Sequence, residues 1–149
     1  MGLPADLLKS LYRYLLLTRS VENRIATICA SQNPLDPLII GKGYLSTGQE
    51  AISVASSMTL RKGDWLAVGH RDMGAHLVRG ISAHQIFSQY FCRENSLTKG
   101  RDSNVHFGCT QKNIAGFVSQ FLLVGFSDES GGICLATVDS KVLNGKKLH

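Results

Sequence analysis

The chain has 149 residues, of which 44% are hydrophobic and 18% charged; this suits one domain with a single core and excludes a disordered tail. The formal net charge is +5 and the pI about 9.2, a balance that can signal a nucleic-acid or membrane-surface partner. The basic residues are scattered, with only Arg61-Lys62 and Lys146-Lys147 adjacent, so neither nucleic acid nor membrane is the expected partner, and anionic substrates or cofactors account for the charge as well.

Residues 6–31 read as one amphipathic helix. Leu7, Leu11, Leu15, Ile25 and Cys29 recur at helical spacing, and Asp6 suits its N-cap. Asn33-Pro34 and Asp36-Pro37 break the chain, and residues 38–44 form an extended link. A second helix is predicted from near Thr47, where Thr47 and Glu50 have capping-box spacing, through residue 60. Gly63-Asp64 turns the chain, and residues 65–68 make a short apolar run best read as a buried parallel strand. A polar loop over residues 69–72 leads into a short helix over residues 73–79, closed by Gly80. Ser82 and Gln85 form another capping box, opening a helix to about Arg93. A long polar loop over residues 94–104 follows, with strands expected at residues 105–107 and 114–118. Helix, strand, loop and helix in this order suggest an α/β layer fold.

The four cysteines, at 29, 92, 109 and 134, include no Cys-x-x-Cys pair. Neither a zinc knuckle nor a thioredoxin motif is indicated, and buried free thiols in a reducing compartment are expected. The longest apolar runs, residues 14–17 and 121–124, are far too short to span a membrane. No signal or transit peptide is evident, so a cytoplasmic location is expected, or the mitochondrial matrix in a eukaryote.

Gly69-His70-Arg71-Asp72-Met73-Gly74 stands between the predicted strand and helix. In open α/β sheets, ligands sit beyond the carboxyl ends of the strands. A guanidinium placed there can hold a phosphate through two parallel charge-assisted hydrogen bonds, helped by free N–H groups of the following helix and by His70. The bland alternative is an Arg71 paired with Asp72 or Asp64 on the surface. Lys99-Gly100-Arg101-Asp102-Ser103-Asn104-Val105-His106 is a second polar cluster, suited either to an anion or partner surface or to plain solvation. His70, His76 and His84 lack the i, i+4 pairing of a helical zinc motif, and no metal site is expected from them. No Gly-x-Ser-x-Gly elbow, Gly-x-Gly-x-x-Gly turn or P-loop occurs. Glu50 has the look of a general base, but its spacing from Thr47 favours a structural role.

Taken in order, Tyr12-Arg13 with Arg19 and Glu22, Gly43-Tyr44-Leu45-Ser46-Thr47-Gly48-Gln49-Glu50-Ala51, Gly69-His70-Arg71-Asp72-Met73-Gly74, and Lys99-Gly100-Arg101 with Val105-His106-Phe107-Gly108 resemble the alpha subunit of thiamine-diphosphate-dependent 2-oxo acid dehydrogenases. These are the first components of the pyruvate and branched-chain 2-oxo acid dehydrogenase complexes. The resemblance runs from about Leu11 to Ser119. It implies a doubly wound α/β thiamine-diphosphate-binding fold, here its N-terminal part, with thiamine diphosphate and Mg held between alpha and beta subunits in an α2β2 assembly. The cofactor serves as an electron sink while carbon dioxide leaves a 2-oxo acid, and the acyl group passes to a lipoyl group carried by the acyltransferase of the complex. By the same resemblance, His70, Arg71 and Ser119 contact the cofactor and Tyr44 lies near the substrate. The glutamate that activates the cofactor ring belongs to the beta subunit, so Glu50 is not given that task. The segment over residues 100–109 is closer to the branched-chain version than to the pyruvate version.

After Ser119 the motifs stop. Residues 120–149 contain neither the family's Gly-Asp-Gly turn nor its later asparagine, whose oxygens hold the metal. The expected organisation is therefore an alpha-subunit segment over residues 1–119 and a divergent tail over residues 120–149, inactive alone. The alternative is a non-catalytic interaction protein that keeps the subunit-contact surface.

Overall fold

The computed structural model describes residues 3–40, 43–105 and 107–116, and the backbone of residues 136–138. Helix α1 spans Ala5–Ser31. Its N-cap is Pro4 rather than Asp6. The proline ring sets φ at −55°, close to the helical value, so winding starts before the carboxylate is reached. Asp6 instead lies in the first turn, where a negative charge suits the helix dipole. One face of α1 buries Thr18, Val21, Glu22 and Ile25. Leu8, Tyr12 and Leu16 stay exposed on another.

The connection to the next helix is tied at its start by Gln32, whose amide donates to the Ile39 carbonyl at 3.0 Å and accepts from the Ile39 N–H at 2.9 Å. Helix α2, Glu50–Thr59, begins two residues later than a capping box with Thr47 as its N-cap predicts. Its N-cap is Gln49, with no side-chain cap. The reason is tertiary. Thr47 donates its hydroxyl to Glu22 of α1 at 3.3 Å, and Glu50 accepts from Arg19 and from the Gly48 N–H. Both members of the expected box are thus taken by partners outside it.

Strand β1, Trp65–Ala67, is one residue shorter than expected. Leu66 gives both backbone groups to a neighbouring segment, receiving from Ala115 N–H and donating to the Asn113 carbonyl, each at 2.8 Å. Ile114 thereby forms a parallel bridge to Leu66. Strand β2, Ala136–Val138, pairs with β1 antiparallel, with Trp65 opposite Val138 and Ala67 opposite Ala136. Among the described residues, then, the strand partner of β1 is antiparallel, and the parallel contact is a single bridge. Of the strand expected at residues 114–118, Ile114 makes isolated bridges to Leu66 and Cys109, and residues 117–118 lie outside the described residues. Of the strand expected at residues 105–107, Val105 and Phe107 are irregular and buried, and His106 lies outside the described residues.

Helix α3, Met73–Val78, ends at Gly80 with φ +88°, as glycine at a helix end allows. Helix α4, Ala83–Tyr90, carries the predicted capping box. The Gln85 N–H donates to Ser82 Oγ at 3.2 Å, and the Ser82 N–H donates to Gln85 Oε1 at 2.9 Å. It stops short of Arg93 because Cys92 turns left-handed, with φ +49°, and the Arg93 N–H closes back on the Ser88 carbonyl at 3.0 Å. Cys29, Cys92 and Cys109 are free and only partly buried, which corrects the expectation of buried thiols. Cys134 lies outside the described residues.

The core joins Ile25 of α1, Leu66 and Val68 around β1, Met73 and Leu77 of α3, Ile86 and Tyr90 of α4, and Phe107 and Ile114. Helices α1, α2 and α3 pack against one another, and Gly74 is where they meet. A Cβ there would lie 2.5 Å from Ser53 Oγ, 2.8 Å from Val54 Cγ2 and 3.3 Å from Thr18 Oγ1. Only hydrogen fits, so the residue fixes how closely α3 approaches the other two helices.

Candidate anion and cofactor site

Beyond β1 the chain makes a closed turn. The Asp72 carboxylate accepts from the Gly69 N–H at 2.7 Å, and the Asp72 N–H donates to the Gly69 carbonyl at 3.2 Å. Burial pushes the Asp72 carboxyl up, while the Gly69 N–H works the other way. His70 and Arg71 lie at the tip of this turn. The His70 ring meets the Tyr44 ring edge-on, with centroids 4.5 Å apart and planes at 64°. Arg71 is exposed, and its Nη1 donates to the Leu45 carbonyl at 3.2 Å. Arg71 does not pair with Asp72 or Asp64, whose carboxylates accept from backbone N–H groups of Gly69 and Arg61 instead. The Tyr44–Leu45 segment and the His70–Arg71 turn, 26 positions apart, are thus brought together, Tyr44 against the His70 ring and the Leu45 carbonyl against Arg71.

The segment carrying Tyr44 and Leu45 is held from α1. Glu22 is fully buried. Its carboxylate accepts the Ser46 N–H on both oxygens at 3.1 Å, and it also accepts the hydroxyls of Ser46 and Thr47. Four residues further along, Glu50 is ion-paired with Arg19. The Arg19 hydrogen bond holds the Glu50 carboxyl below its usual range against the opposing effect of burial. Glu50 is therefore structurally engaged, through a partner that its sequence spacing did not reveal.

Sequence reasoning assigned no structural role to Glu22. Its signal was a charged residue on the stripe of α1 that also holds Thr18, Val21 and Ile25, where an acid is buried only if hydrogen-bonded.

The second polar cluster is folded on itself. Gln89 donates to Thr98 Oγ1 at 2.8 Å and to the Asp102 carbonyl at 2.7 Å. Gly100, with φ +72°, passes so close to the Cys92 carbonyl that a Cβ would sit 2.8 Å from it, so the tight turn expected of that glycine is present. Ser103 reaches the Ile40 carbonyl at 3.5 Å. The described contacts of this cluster run to Gln89, Cys92 and Ile40 rather than to Arg71. His106 and Ser119 lie outside the described residues. Among the described residues no group of three His, Cys, Asp or Glu side chains is placed to hold a metal ion, and no helix is long and apolar enough to cross a membrane.

The sequence model of one family, Dehydrogenase E1 component, matches residues 16–137. This chain belongs to the dehydrogenase E1 component family. The match takes in Tyr44, His70 and Arg71 and continues past Ser119, where the recognisable motifs end. Relatives of this E1 chain include the pyruvate dehydrogenase E1 component subunit alpha of Rhizobium meliloti, 30% identical over 105 residues, which are 70% of this chain and 29% of that protein. The mitochondrial 2-oxoisovalerate dehydrogenase subunit alpha of Dictyostelium discoideum is 33% identical over 69 residues, 46% of this chain and 16% of that protein. The 3-methyl-2-oxobutanoate dehydrogenase subunit alpha of Mycobacterium tuberculosis is 34% identical over 82 residues, 53% of this chain and 20% of that protein. The E1 chain therefore spans less than a third of each of these relatives, all of them alpha subunits of 2-oxo acid dehydrogenases.

Proposed function

We propose that this chain supplies the diphosphate-holding segment of a 2-oxo acid dehydrogenase alpha subunit, with Arg71 and His70 as the anion-binding pair and Tyr44 beside them near the substrate. The observation that carries this reading is the meeting of Tyr44, His70 and Arg71 at the carboxyl end of β1, with the guanidinium exposed. The donor chemistry suits thiamine diphosphate. An exposed guanidinium can form two parallel bonds to phosphate oxygens, and an imidazole adds a third donor. Ser119 belongs to the same proposal. Bound thiamine diphosphate supplies an electron sink for decarboxylation of a 2-oxo acid. The Mg that accompanies it needs oxygen ligands, and no set of three His, Cys, Asp or Glu side chains among the described residues provides them.

The rest of the proposal follows the family. The enclosing fold is the doubly wound α/β type, and the beta subunit closes the site in an α2β2 assembly. The lipoyl acyltransferase takes the acyl group, and the compartment is the cytoplasm or the mitochondrial matrix. The preferred substrate is a branched-chain 2-oxo acid, on the strength of residues 100–109. Relatives named for pyruvate and for branched substrates both occur. A second reading, a non-catalytic partner of the beta subunit, draws support from the exposed apolar side chains Leu8, Tyr12 and Leu16 on α1.

Inorganic pyrophosphate titrated into the isotope-labelled chain tests the anion reading. NMR shifts centred on His70 and the Arg71 side chain, abolished by Arg71→Ala, are expected. Shifts unaffected by that substitution would sink it.

A further inference from the structure

We infer that Glu22 is a positioning residue for the anion-binding pair, acting through the chain segment that bears Tyr44 and Leu45; this rests on the assignment of His70 and Arg71 to the diphosphate. Glu22 touches neither of them. It is fully buried on α1 and takes three donors from one short stretch: the Ser46 N–H, shared between both carboxylate oxygens at 3.1 Å, the Ser46 hydroxyl, and the Thr47 hydroxyl at 3.3 Å. The two residues just before Ser46 make the contacts that define the site. Tyr44 sets its ring edge-on to His70 at 4.5 Å, and Leu45 offers its carbonyl to Arg71 at 3.2 Å.

Residues 43–48 have no regular secondary structure of their own. Their conformation is set by side-chain contacts, among which the Glu22 carboxylate accepts from the Ser46 N–H and from the Ser46 and Thr47 hydroxyls. A second tie comes from packing. Gly43 lies against α1 so closely that a Cβ would stand 3.0 Å from Ile25 Cγ2. The segment is therefore seated on α1 at Gly43 and at Ser46, and Tyr44 and Leu45 are held between those two points facing the 69–72 turn. Burying a carboxylate is costly unless its lone pairs are satisfied. Here the hydrogen bonds from Ser46 and Thr47 come from the segment being positioned, with the Arg19 charge adding attraction from α1, so moving that segment would strip the buried carboxylate of these donors.

The chemistry needs an acceptor on both oxygens. Glu22→Gln keeps the shape but replaces one oxygen with an NH2 group, which then faces the Ser46 N–H donor to donor. The segment must shift to relieve this, and the Tyr44–His70 contact shifts with it. Ser46→Ala removes one bond while leaving Glu22 in place, and it serves as the milder variant if Glu22→Gln fails to fold.

The test uses the purified 149-residue chain and two NMR readouts. In the wild type, cross-peaks between the Tyr44 and His70 rings are expected. In Glu22→Gln they vanish, while amide shifts around the Ser82–Gln85 capping box stay in place. The affinity for inorganic pyrophosphate falls by about threefold to tenfold, the scale of losing one hydrogen bond's worth of order. Ser46→Ala gives a smaller loss in the same direction. Ring cross-peaks and pyrophosphate affinity both unchanged in Glu22→Gln and Ser46→Ala, with Arg71→Ala still weakening the anion, overturn the positioning role alone. Pyrophosphate binding indifferent to Arg71→Ala overturns the anion assignment, and the positioning role falls with it.

Discussion

Arg19 and Glu22, one turn apart on α1, both grip the end of the connection that leads into α2: Glu22 takes Ser46 and Thr47, and Arg19 takes Glu50 at the first residue of α2. Between these two grips the chain passes from an irregular segment into a helix, and Tyr44 and Leu45, which meet His70 and Arg71, lie just ahead of the first grip. Helix α1 thus acts as a rail on which the site segment is mounted.

The first prediction concerns Arg71. In a complete α2β2 enzyme carrying this segment, Arg71→Ala is expected to weaken thiamine diphosphate binding by about 2–3 kcal/mol, the scale of a charged hydrogen bond. Isothermal calorimetry with equal affinities for the two proteins would contradict it.

The second concerns substrate. The same enzyme is expected to favour a branched 2-oxo acid over pyruvate in kcat/KM. Competition kinetics with both substrates decide, and a large preference for pyruvate ends the reading of residues 100–109.

The third concerns the chain of 149 residues by itself. A diphosphate carries several negative charges, and one Arg–His pair neutralises only part of them. Binding of thiamine diphosphate is therefore expected to be weak, to rest on Arg71 and His70 alone and not to be tightened by Mg, and no dehydrogenase turnover is expected. Micromolar, metal-dependent binding in a titration with and without Mg would refute this.

His76 sets the fourth. It is fully buried on α3; its Nδ1 lies 3.1 Å from the Asp72 carbonyl, its Nε2 makes no hydrogen bond, and its ring packs 4.8 Å from that of Phe107. Burial pushes its pKa down from 6.5 to about 4. The unfolded chain therefore binds the proton first as pH falls, so stability is full above 6.5 and declines toward 4. At about 1.4 kcal/mol per pH unit, the loss across the window is on the order of 3 kcal/mol. Thermal melts across this range should show the slope in the wild type and lose it in His76→Leu. An identical slope in both would show that His76 is not its source.

The fifth concerns Glu50. Arg19 holds its carboxyl below the usual value of 4.5. This contribution is present above that value and is lost as pH falls through the lower, folded-state one. Glu50→Gln should flatten the acid limb of the stability curve below 4.5, and an unchanged limb would contradict the pairing.

Much of this was legible in the residues. Ser82 and Gln85 announce their capping box because the signal is local and nothing competes for either side chain. Thr47 and Glu50 have the same spacing, yet Glu22 and Arg19, some 25 and 31 positions away, claim them; tertiary contacts of that kind leave no mark on spacing. The extended character of residues 65–67 was visible in their apolar run, but its antiparallel partner was not, since pairing direction depends on residues far along the chain. His70 and Arg71 stood out through their place between strand and helix. That Tyr44 meets them could not be read from periodicity, because its segment has none.

Gly74 has a consequence for how the molecule breathes. A junction where three helices meet with no room for a methyl group cannot loosen by degrees, since separating any one of them strips contacts from the other two. Slow amide exchange in α1, α2 and α3 is expected to report one shared opening free energy rather than three. His70 and Arg71 sit only four and three residues ahead of that junction. Their turn is short, and their fluctuations are governed by the whole three-helix block rather than by the turn alone.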